Sequence, residues 1–446
     1  MNAFNISWGL KMANVMEKSM KMEKYSLTMA WWGVCSAMFY LVVAAALAVG
    51  FGTRNAIIGM TLSVLCYGLI NGVIARYAIR TGLSVAEFSK IILGKTGATL
   101  ATLIFASTAV YYGIFEGSVM AVALHSYAPS ISMEWAILIV VLYSTVLVLG
   151  KTLRWLDKLN GVLLPLYLLG LCVLVGVAVN EYGYSSDWLR MEPSDGASPL
   201  GWWNCFTYFM GVWVLMMYTW DYARFGKAED SRFLSLFSFG IPFYLVAFLL
   251  NGLVGIFLAA TIASGSEITE VSVVLAIVQL MGFWGLLFVW ITQTRINTGN
   301  FYMAITNLHA FFARYGAGRV PHAVWAAAVG VIVYMAMHFD VFSYILRALT
   351  YQAIFIVGWV GIAMAHILTP YYERKFNAVQ HVNSSELPDF NKVGVSVWSI
   401  SVVLGVMLNL SDNLFLSAWS APCAFLVAFS GYALLMRKIS VSWFVK

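Results

Sequence analysis

The chain has 446 residues, of which 61% are hydrophobic and 10% are charged, and its formal net charge is +6. Soluble domains carry about 25% charged residues, so this composition excludes an ordinary soluble protein and indicates an integral membrane protein. The surplus of Lys and Arg is typical of membrane topology, because basic residues gather in short cytoplasmic loops. It therefore does not indicate nucleic-acid binding.

Apolar runs recur almost continuously from about residue 27 to about residue 435. A transmembrane helix needs about 20 apolar residues. The runs predict an all-α polytopic membrane protein with 12 transmembrane helices. These predicted spans, numbered in chain order, begin near residues 27, 55, 98, 134, 159, 203, 235, 272, 321, 342, 393 and 414.

The basic residues support this count independently. With twelve spans, 22 of the 26 Lys and Arg residues fall on one side of the membrane, Arg54 and Arg190 fall on the other, and Arg295 and Arg347 lie within spans. Since basic residues concentrate in cytoplasmic loops, we predict a multi-pass protein of the cytoplasmic (inner) membrane with both termini in the cytoplasm. An odd number of spans would destroy this alternation.

Two spans contain small and polar residues that favour a break. Span 1 has Gly33 and Ala37 within the segment WWGVCSA, and span 6 has Gly211 and Trp213 within FMGVW. Spans 1 and 6 are five apart, which is the spacing of equivalent helices in a five-plus-five inverted repeat, and transporters place their binding sites at such discontinuous helices. The pattern favours a transporter over a receptor or a channel.

No enzyme signature accompanies these spans. The sequence has no HExxH motif and no His cluster, and its five Cys residues are scattered through apolar spans without metal-ligand spacing. We predict that the protein is not an enzyme and that it needs no cofactor and no metal. Its expected partners are the lipid bilayer and a small molecule.

A segment at the end of span 6 carries a family resemblance. Its sequence, Thr219-Trp220-Asp221-Tyr222-Ala223-Arg224-Phe225-Gly226, resembles the Thr-x-Asp-Tyr/Phe-x-Arg-Phe motif of the nucleobase–cation symporters, the purine/cytosine permease family. The stretch RTGLS from Arg80 is similar to that family's loop after helix 2. Asn297 and Asn300-Phe301-Tyr302 lie where the family has an Asn-rich segment in helix 8.

The resemblance implies a leucine-transporter-like fold of ten core helices and two peripheral ones. It also implies uptake of a planar nitrogen heterocycle by alternating access, with H⁺ or Na⁺ as the coupling ion. The corresponding organisation is a cytoplasmic segment at 1–26, a ten-helix transport core at 27–369, a cytoplasmic loop at 370–392, two peripheral helices at 393–436 and a cytoplasmic tail at 437–446.

The same resemblance implies candidate substrate-binding residues. In the family, aromatic side chains of helices 3 and 6 stack on the base, and polar side chains of helices 3 and 8 bind its edge. These roles fall here on Tyr111 or Tyr112, Glu116, Trp213, Gln293 and Asn297. Glu116 follows Tyr112 by four residues, so both lie on one face of a helix. The family's helix-3 tryptophan is replaced by tyrosine.

Arg295 is the notable departure from the family. A charged side chain at the centre of a bilayer costs at least about 2.5–3.5 kcal/mol, so Arg295 should face a partner, a cavity or a substrate. It falls where sodium-coupled relatives have small hydroxyl residues that bind Na⁺ between helices 1 and 8, opposite Gly33 and Ala37.

Three interpretations of Arg295 stay open. The guanidinium can replace Na⁺, with Glu116 as its expected partner, and transport is then sodium-independent and either coupled to H⁺ through Glu116 or an exchange. Alternatively, it grips the carboxylate of an amino acid, a betaine or another small metabolite. In the third interpretation Arg295 is structural and is braced on helix-1 carbonyls or on Glu116.

Overall fold

The structure is a computed structural model. It describes residues 21–149, 152–193, 198–262, 271–313, 315–339, 344–369 and 387–438, together with Gly196 and Phe342. Most of the predicted N-terminal segment, most of the loop at 370–392 and most of the C-terminal tail lie outside the described residues.

The described chain is almost entirely helical, as the composition predicts. Its helices, numbered in chain order, are α1 (Lys24–Trp32), α2 (Phe39–Phe51), α3 (Thr53–Thr81), α4 (Val85–Tyr127), α5 (Met133–Leu149), α6 (Thr152–Tyr182), α7 (Gly201–Met210), α8 (Val214–Ala223), α9 (Ala228–Ile262), α10 (Ser272–Met281), α11 (Phe283–Ala313), α12 (His322–Ala336), α13 (Ile345–Leu368), α14 (Lys392–Asn409), α15 (Leu414–Ala418) and α16 (Ser420–Lys438).

Spans 1 and 6 are discontinuous, as predicted. α1 continues into a 3₁₀ turn at Gly33–Ser36, the chain is extended at Ala37, and α2 then leaves at an angle of 42° to the first half. α7 and α8 are likewise separated by Gly211, Val212 and Trp213. Each break interrupts the helical hydrogen-bond ladder and leaves backbone groups that need other partners.

Two predicted spans differ from the observed helices. The apolar stretch beginning near residue 272 is two helices, α10 and α11, because Gly282 has a φ of 54° and ends the first. The third predicted span corresponds to α4, which begins at Val85 instead of near residue 98. α4 contains a kink at Gly94, where φ is 83°. Residues other than glycine rarely adopt a positive φ. An apolar-run criterion misses both features because they depend on backbone conformation.

Seven of the described helices are long and apolar enough to cross a membrane, or eight if the bent pair α1–α2 is one span. Within the described residues, α5 and α12 are apolar but shorter, with 17 and 15 residues. α11 has 31 residues but carries Gln293, Arg295 and Asn297. The structure thus establishes a multi-pass all-α membrane protein.

Helix packing brings the breaks and the charged residues together. α11 packs along α4, α9 packs against α2, and the 3₁₀ turn of span 1 contacts α11. α14 and α16 pack on α13 and on each other. Glu116 of α4 and Arg295 of α11 therefore both lie close to the break in span 1.

Candidate functional site

The backbone of the span 1 break is held by buried side chains from other helices. Asn251 of α9 donates a hydrogen bond from Nδ2 to the Cys35 carbonyl at 2.7 Å. Its Oδ1 accepts a hydrogen bond from the Tyr167 hydroxyl of α6 at 3.0 Å. Ser36 Oγ donates to the Gly33 carbonyl at 2.9 Å. The break is thus a fixed junction of three helices whose freed carbonyls have partners.

Arg295 reaches the same break from α11. Its Nη2 donates to the Ala30 carbonyl, in the last turn of α1, at 2.7 Å. The guanidinium lies against Gly33 so closely that a Cβ at this position would overlap Nη1 and Cζ. Glycine at residue 33 therefore makes room for the cation, and a helix-1 carbonyl accepts its hydrogen bond.

Gln293 connects the break with Glu116. Both side chains are buried, with exposed fractions of 0% and 1%. The orientation of an amide is assigned from its hydrogen-bond partners. With Nε2 directed at the Glu116 carboxylate, Oε1 accepts from the Met38 N–H at 3.1 Å, and both ends of the amide are satisfied. Met38 is the N-cap residue of α2, and the N–H groups at the start of a helix have no partner within the helix.

Glu116 therefore has a different partner from the one predicted. We expected the carboxylate beside the Arg295 guanidinium, but it contacts the Gln293 amide. Residues of an α-helix are about 100° apart around its axis, so Gln293 and Arg295 point in nearly opposite directions. Gln293 faces α4 and Arg295 faces α1. The charges of Glu116 and Arg295 therefore lie on different sides of the same break.

Tyr112 completes the buried face of α4. It is 6% exposed, whereas Tyr111 is half-buried and packs edge-on against it with ring centroids 5.3 Å apart. The Tyr112 hydroxyl accepts a hydrogen bond from Gln352 Nε2 of α13 at 3.1 Å, and its ring packs on Phe39. Tyr112 and Glu116 lie on one helix face.

Trp213 lies at the span 6 break among other aromatic rings. Its ring centroid is 6.2 Å from that of Tyr67 on α3 and 6.1 Å from that of Phe425 on α16. The described ring contacts of Tyr112 are instead with Phe39 and Tyr111. Trp213 and Tyr112 thus belong to different aromatic groups in this conformation.

The remaining predicted residues flank the Glu116 cluster. Asn297 lies one helical turn after Gln293 and donates from Nδ2 to Ser144 Oγ of α5 at 2.9 Å. Its Oδ1 is 3.7 Å from the position of a Cβ on Gly113, next to Tyr112. Ala37 is the extended residue of the span 1 break and is buried.

Three residues of this site were not predicted from the sequence. Each places a polar side chain within an apolar helix: Asn251 binds the break, Tyr167 binds Asn251, and Gln352 binds Tyr112. An isolated amide inside a membrane span is a signal that could have identified Asn251 and Gln352. Tyr167 has no such signal among 23 tyrosines.

The motif at the end of span 6 has a structural role. Asp221 Oδ1 accepts a hydrogen bond from the Val85 N–H at 2.9 Å and so caps the N-terminus of α4. Arg224 stacks on Phe225, with its Cζ 4.7 Å from the ring centroid. In this structure the two side chains thus contact the start of α4 and the Phe225 ring.

Residues 22–24 pack against this end of the bundle. Met22 N–H donates to the Phe225 carbonyl at 2.8 Å, and Lys24 forms an ion pair with Asp230 at 3.9 Å. The Glu23 carboxylate bonds to Lys227 and raises the pKa of this lysine. The contacts hold α1 against the loop between α8 and α9.

Two cavities lie away from the Glu116 cluster. One, of about 530 Å³, is lined by Arg54, Arg190, Glu192, Asn55 and Trp202 among others. It brings together the two basic residues that the span count assigns to the outer side. The other, of about 410 Å³, is apolar and lies beside α1, between Met29 and Phe237.

Solved structures with a similar fold are membrane transporters. The chain matches the inward-facing conformation of Mhp1 with a TM-score of 0.73 and 12% identity, over 92% of this chain and 89% of that chain. It matches Mhp1, described as a nucleobase-cation-symport-1 family transporter, in a closed conformation with bromovinylhydantoin bound, with a TM-score of 0.69, 13% identity and coverage of 92% and 91%. A manganese transporter from Eremococcus coleocola matches with a TM-score of 0.59, 12% identity and coverage of 94% and 96%.

These similarities establish the fold and leave the cargo open. No family model matches the sequence, and no curated protein is significantly similar to it. One matched protein is a manganese transporter and another was solved with a hydantoin bound, and one fold supports many functions. The chain thus has a leucine-transporter-like fold, which it shares with these membrane transporters.

Proposed function

We propose that this protein is a secondary active transporter that takes up a nucleobase or a related planar nitrogen heterocycle by alternating access. The observation that carries the proposal is the buried cluster of Tyr112, Glu116 and Gln293 at the break in span 1. A phenol ring, a carboxylate and an amide converge there. Aromatic faces bind flat bases, and carboxylate and amide groups bind the N–H and C=O groups at their edges.

The motif resemblance supports this choice of substrate. The segment from Thr219 to Gly226 resembles the nucleobase–cation symporters. Mhp1, whose fold is similar to that of this chain, is described as a nucleobase-cation-symport-1 family transporter. Trp213 and Asn297 complete the proposed substrate site when the helices move during transport. In the present conformation Asn297 flanks the cluster, and Trp213 lies in a separate aromatic group at the span 6 break.

We further propose that transport is independent of Na⁺. Sodium needs oxygen ligands, and the Ala30 carbonyl at the span 1 break already accepts a hydrogen bond from Arg295. The guanidinium is permanently charged and offers no acceptor. A fixed cation therefore lies against Gly33, on the side of the break where the family resemblance predicts the ion of sodium-coupled relatives.

The proposed topology has twelve spans with cytoplasmic termini in the inner membrane. The eight spans supported by length and composition become twelve if α5, the α7–α8 pair, α11 and α12 also cross. Residues 27–369 then form a ten-helix transport core of two inverted five-helix repeats, and residues 393–436 form two peripheral helices.

Uptake by the purified protein in proteoliposomes tests this function. We expect uptake of a labelled heterocycle from a panel of cytosine, uracil, adenine and allantoin, and we expect it to persist when choline replaces Na⁺. Competition by small zwitterions alone would instead favour a carboxylate carrier with Arg295 as the ligand. Strict dependence on Na⁺ would contradict the role of Arg295 as a cation substitute.

A matched pair of variants locates the site. Tyr112→Leu removes the buried ring and should raise the KM for uptake about tenfold, because base–aromatic stacking contributes roughly 1–3 kcal/mol. Tyr302→Leu removes a ring of α11 that is half exposed and should leave KM unchanged. An unchanged KM in both variants would place the substrate elsewhere.

A further inference from the structure

The two basic residues that the span count assigns to the outer side, Arg54 and Arg190, meet in one cavity of about 530 Å³. Arg54 is the second residue of α3, and Arg190 ends the 3₁₀ turn Asp187–Arg190 in the loop after α6. Basic residues are scarce on this side, because 22 of the 26 Lys and Arg residues fall on the other side. Topology therefore does not explain why both arginines line the same cavity.

Hydrogen bonds between the loop and α3 hold the walls of this cavity. The Thr53 N–H donates to the Met191 carbonyl at 2.9 Å, and Thr53 Oγ1 donates to the Trp188 carbonyl at 2.8 Å. Farther along the same loop, the Ser198 carbonyl accepts a hydrogen bond from Asn55 Nδ2 at 3.2 Å. The loop that carries Arg190 is thus fastened to the helix that carries Arg54, and the cavity is a built feature of the fold.

The lining combines positive charge with an apolar surface. Two guanidinium groups and one carboxylate, that of Glu192, line the cavity, so two positive charges and one negative charge leave a net charge of +1. Guanidinium groups bind phosphate oxygens by paired, charge-assisted hydrogen bonds. Phe51, Leu189 and Trp202 contribute apolar surface to the same lining. The cavity therefore suits an anion that also carries apolar groups.

An exposed apolar stripe of α3 begins at this cavity. Ile58 lines the cavity and is 39% exposed, and Leu65 and Leu69 follow it on the same helix face with exposed fractions of 46% and 66%. α3 is long and apolar enough to cross a membrane. At 1.5 Å per residue, the stripe from Ile58 to Leu69 is roughly 16 Å long. This length matches half of a hydrocarbon core of about 30 Å, which is the share of one leaflet.

We propose that the cavity binds an anionic phospholipid. The phosphate contacts the guanidinium groups of Arg54 and Arg190, and one acyl chain lies along Ile58, Leu65 and Leu69. A soluble anion accounts for the two arginines only, whereas a lipid accounts for both the arginines and the stripe that starts beside them. The inference goes beyond the proposed function and does not depend on the transported molecule.

The position of the cavity connects the lipid with both discontinuous spans. Phe51 is the last residue of α2, the second half of span 1, and Trp202 is the second residue of α7, the first half of span 6. A headgroup in the cavity thus contacts the ends of α2 and α7 together with the start of α3.

Quenching of a fluorophore by brominated lipids tests the site. The fluorophore is attached to Leu65→Cys in a full-length protein without the five native cysteines, where it lies beside the proposed acyl chain and outside the cavity lining. The protein is reconstituted in phosphatidylcholine with rising fractions of brominated phosphatidylglycerol, phosphatidylethanolamine or phosphatidylcholine. The same label on Leu142→Cys of α5, which is 56% exposed, reports a lipid-facing position away from the cavity.

We expect the Leu65 label to report an about fivefold preference for phosphatidylglycerol over the other two lipids, the scale of one net charge beside an anionic lipid. Arg54→Gln or Arg190→Gln cancels the net charge and should abolish the preference. Glu192→Gln raises the net charge to +2 and should increase the preference about fivefold further. Arg319→Gln removes an exposed arginine outside the cavity and should leave it unchanged.

Several outcomes would overturn the lipid site. They are equal quenching by all three lipids, a preference that the Leu142 label shares, an unchanged preference in Arg54→Gln, and a preference that does not rise in Glu192→Gln. Displacement of the brominated phosphatidylglycerol by soluble glycerol phosphate would assign the cavity to a soluble anion instead.

The gain expected in Glu192→Gln keeps the test decisive if the arginine variants do not fold, because a damaged fold does not raise selectivity. Thermal unfolding in detergent identifies such variants. Failure to transport any heterocycle would contradict the proposed function and leave the quenching results intact.

Discussion

Arg295 and Gly33 show how two residues depend on each other in an apolar span. A guanidinium within a bilayer needs partners, and Arg295 finds the Ala30 carbonyl at the end of α1. Its approach requires that residue 33 has no side chain. The same glycine that favours the break in span 1 thus makes room for the charge.

Gly33→Ala should therefore destabilise the protein. The added methyl group overlaps the guanidinium, and overpacking of a buried site costs about 1–3 kcal/mol. We expect a lower midpoint of thermal unfolding in detergent and loss of uptake. Gly50→Ala, in α2 of the same span, meets no atom within 4 Å and serves as the control. Equal unfolding midpoints for the two variants would contradict the packing described for Arg295.

The carboxylate of Asp221, in the second half of span 6, connects α8 with α4. Asp221 binds the Val85 N–H and so connects the second half of the discontinuous span 6 to the first turn of α4, the helix that carries Tyr112 and Glu116. α4 also has a local capping box formed by Ser84 and Glu87. Its N-terminus is thus fixed by both its own sequence and a neighbouring helix.

Asp221→Ala should lower stability by about 0.5–2 kcal/mol, the usual contribution of a helix N-cap. Asp221→Asn keeps an oxygen acceptor and should retain most of this stability. Asp412→Ala, which removes an exposed carboxylate between α14 and α15, controls for loss of charge. The measurement is thermal unfolding in detergent. Equal losses in Asp221→Asn and Asp221→Ala would show that the charge, and not the capping oxygen, is decisive.

The whole molecule presents a two-sided distribution of charge. The two basic residues assigned to the outer side, Arg54 and Arg190, line one cavity. Away from this cavity, residues 22–24 bind the loop between α8 and α9 and the first turn of α9. From the positive-inside pattern we predict that this latter region faces the cytoplasm.

Cysteine labelling in intact cells tests this orientation. Ser185→Cys and Lys438→Cys, each in a background without the five native cysteines, expose a thiol in the loop after α6 and at the end of α16. With twelve spans, a membrane-impermeant maleimide should label the first variant from outside and the second only after lysis. Labelling of both from outside would exclude an even number of spans between a cytoplasmic N-terminus and Lys438.

The sequence alone determined the membrane class, the discontinuity of spans 1 and 6, and the face shared by Tyr112 and Glu116. These properties follow from local composition and helical periodicity, which need no knowledge of neighbouring helices. The sequence also marked Arg295 and Glu116 as charges that require partners. Of the partners it offered for Arg295, a helix-1 carbonyl is observed. Glu116 contacts Gln293 instead of Arg295, because pairing depends on how α4 and α11 are rotated against the break.

The tertiary structure decided these partners. Gln293 and Arg295 are two residues apart, and their opposite directions on α11 assign one to Glu116 and the other to Ala30. Helix packing likewise brings Asn251 of α9 and Gln352 of α13 to the site. A hydrogen bond between two helices depends on their crossing angle and on their rotation about their own axes. The sequence contains the donors and acceptors but not the distances between them.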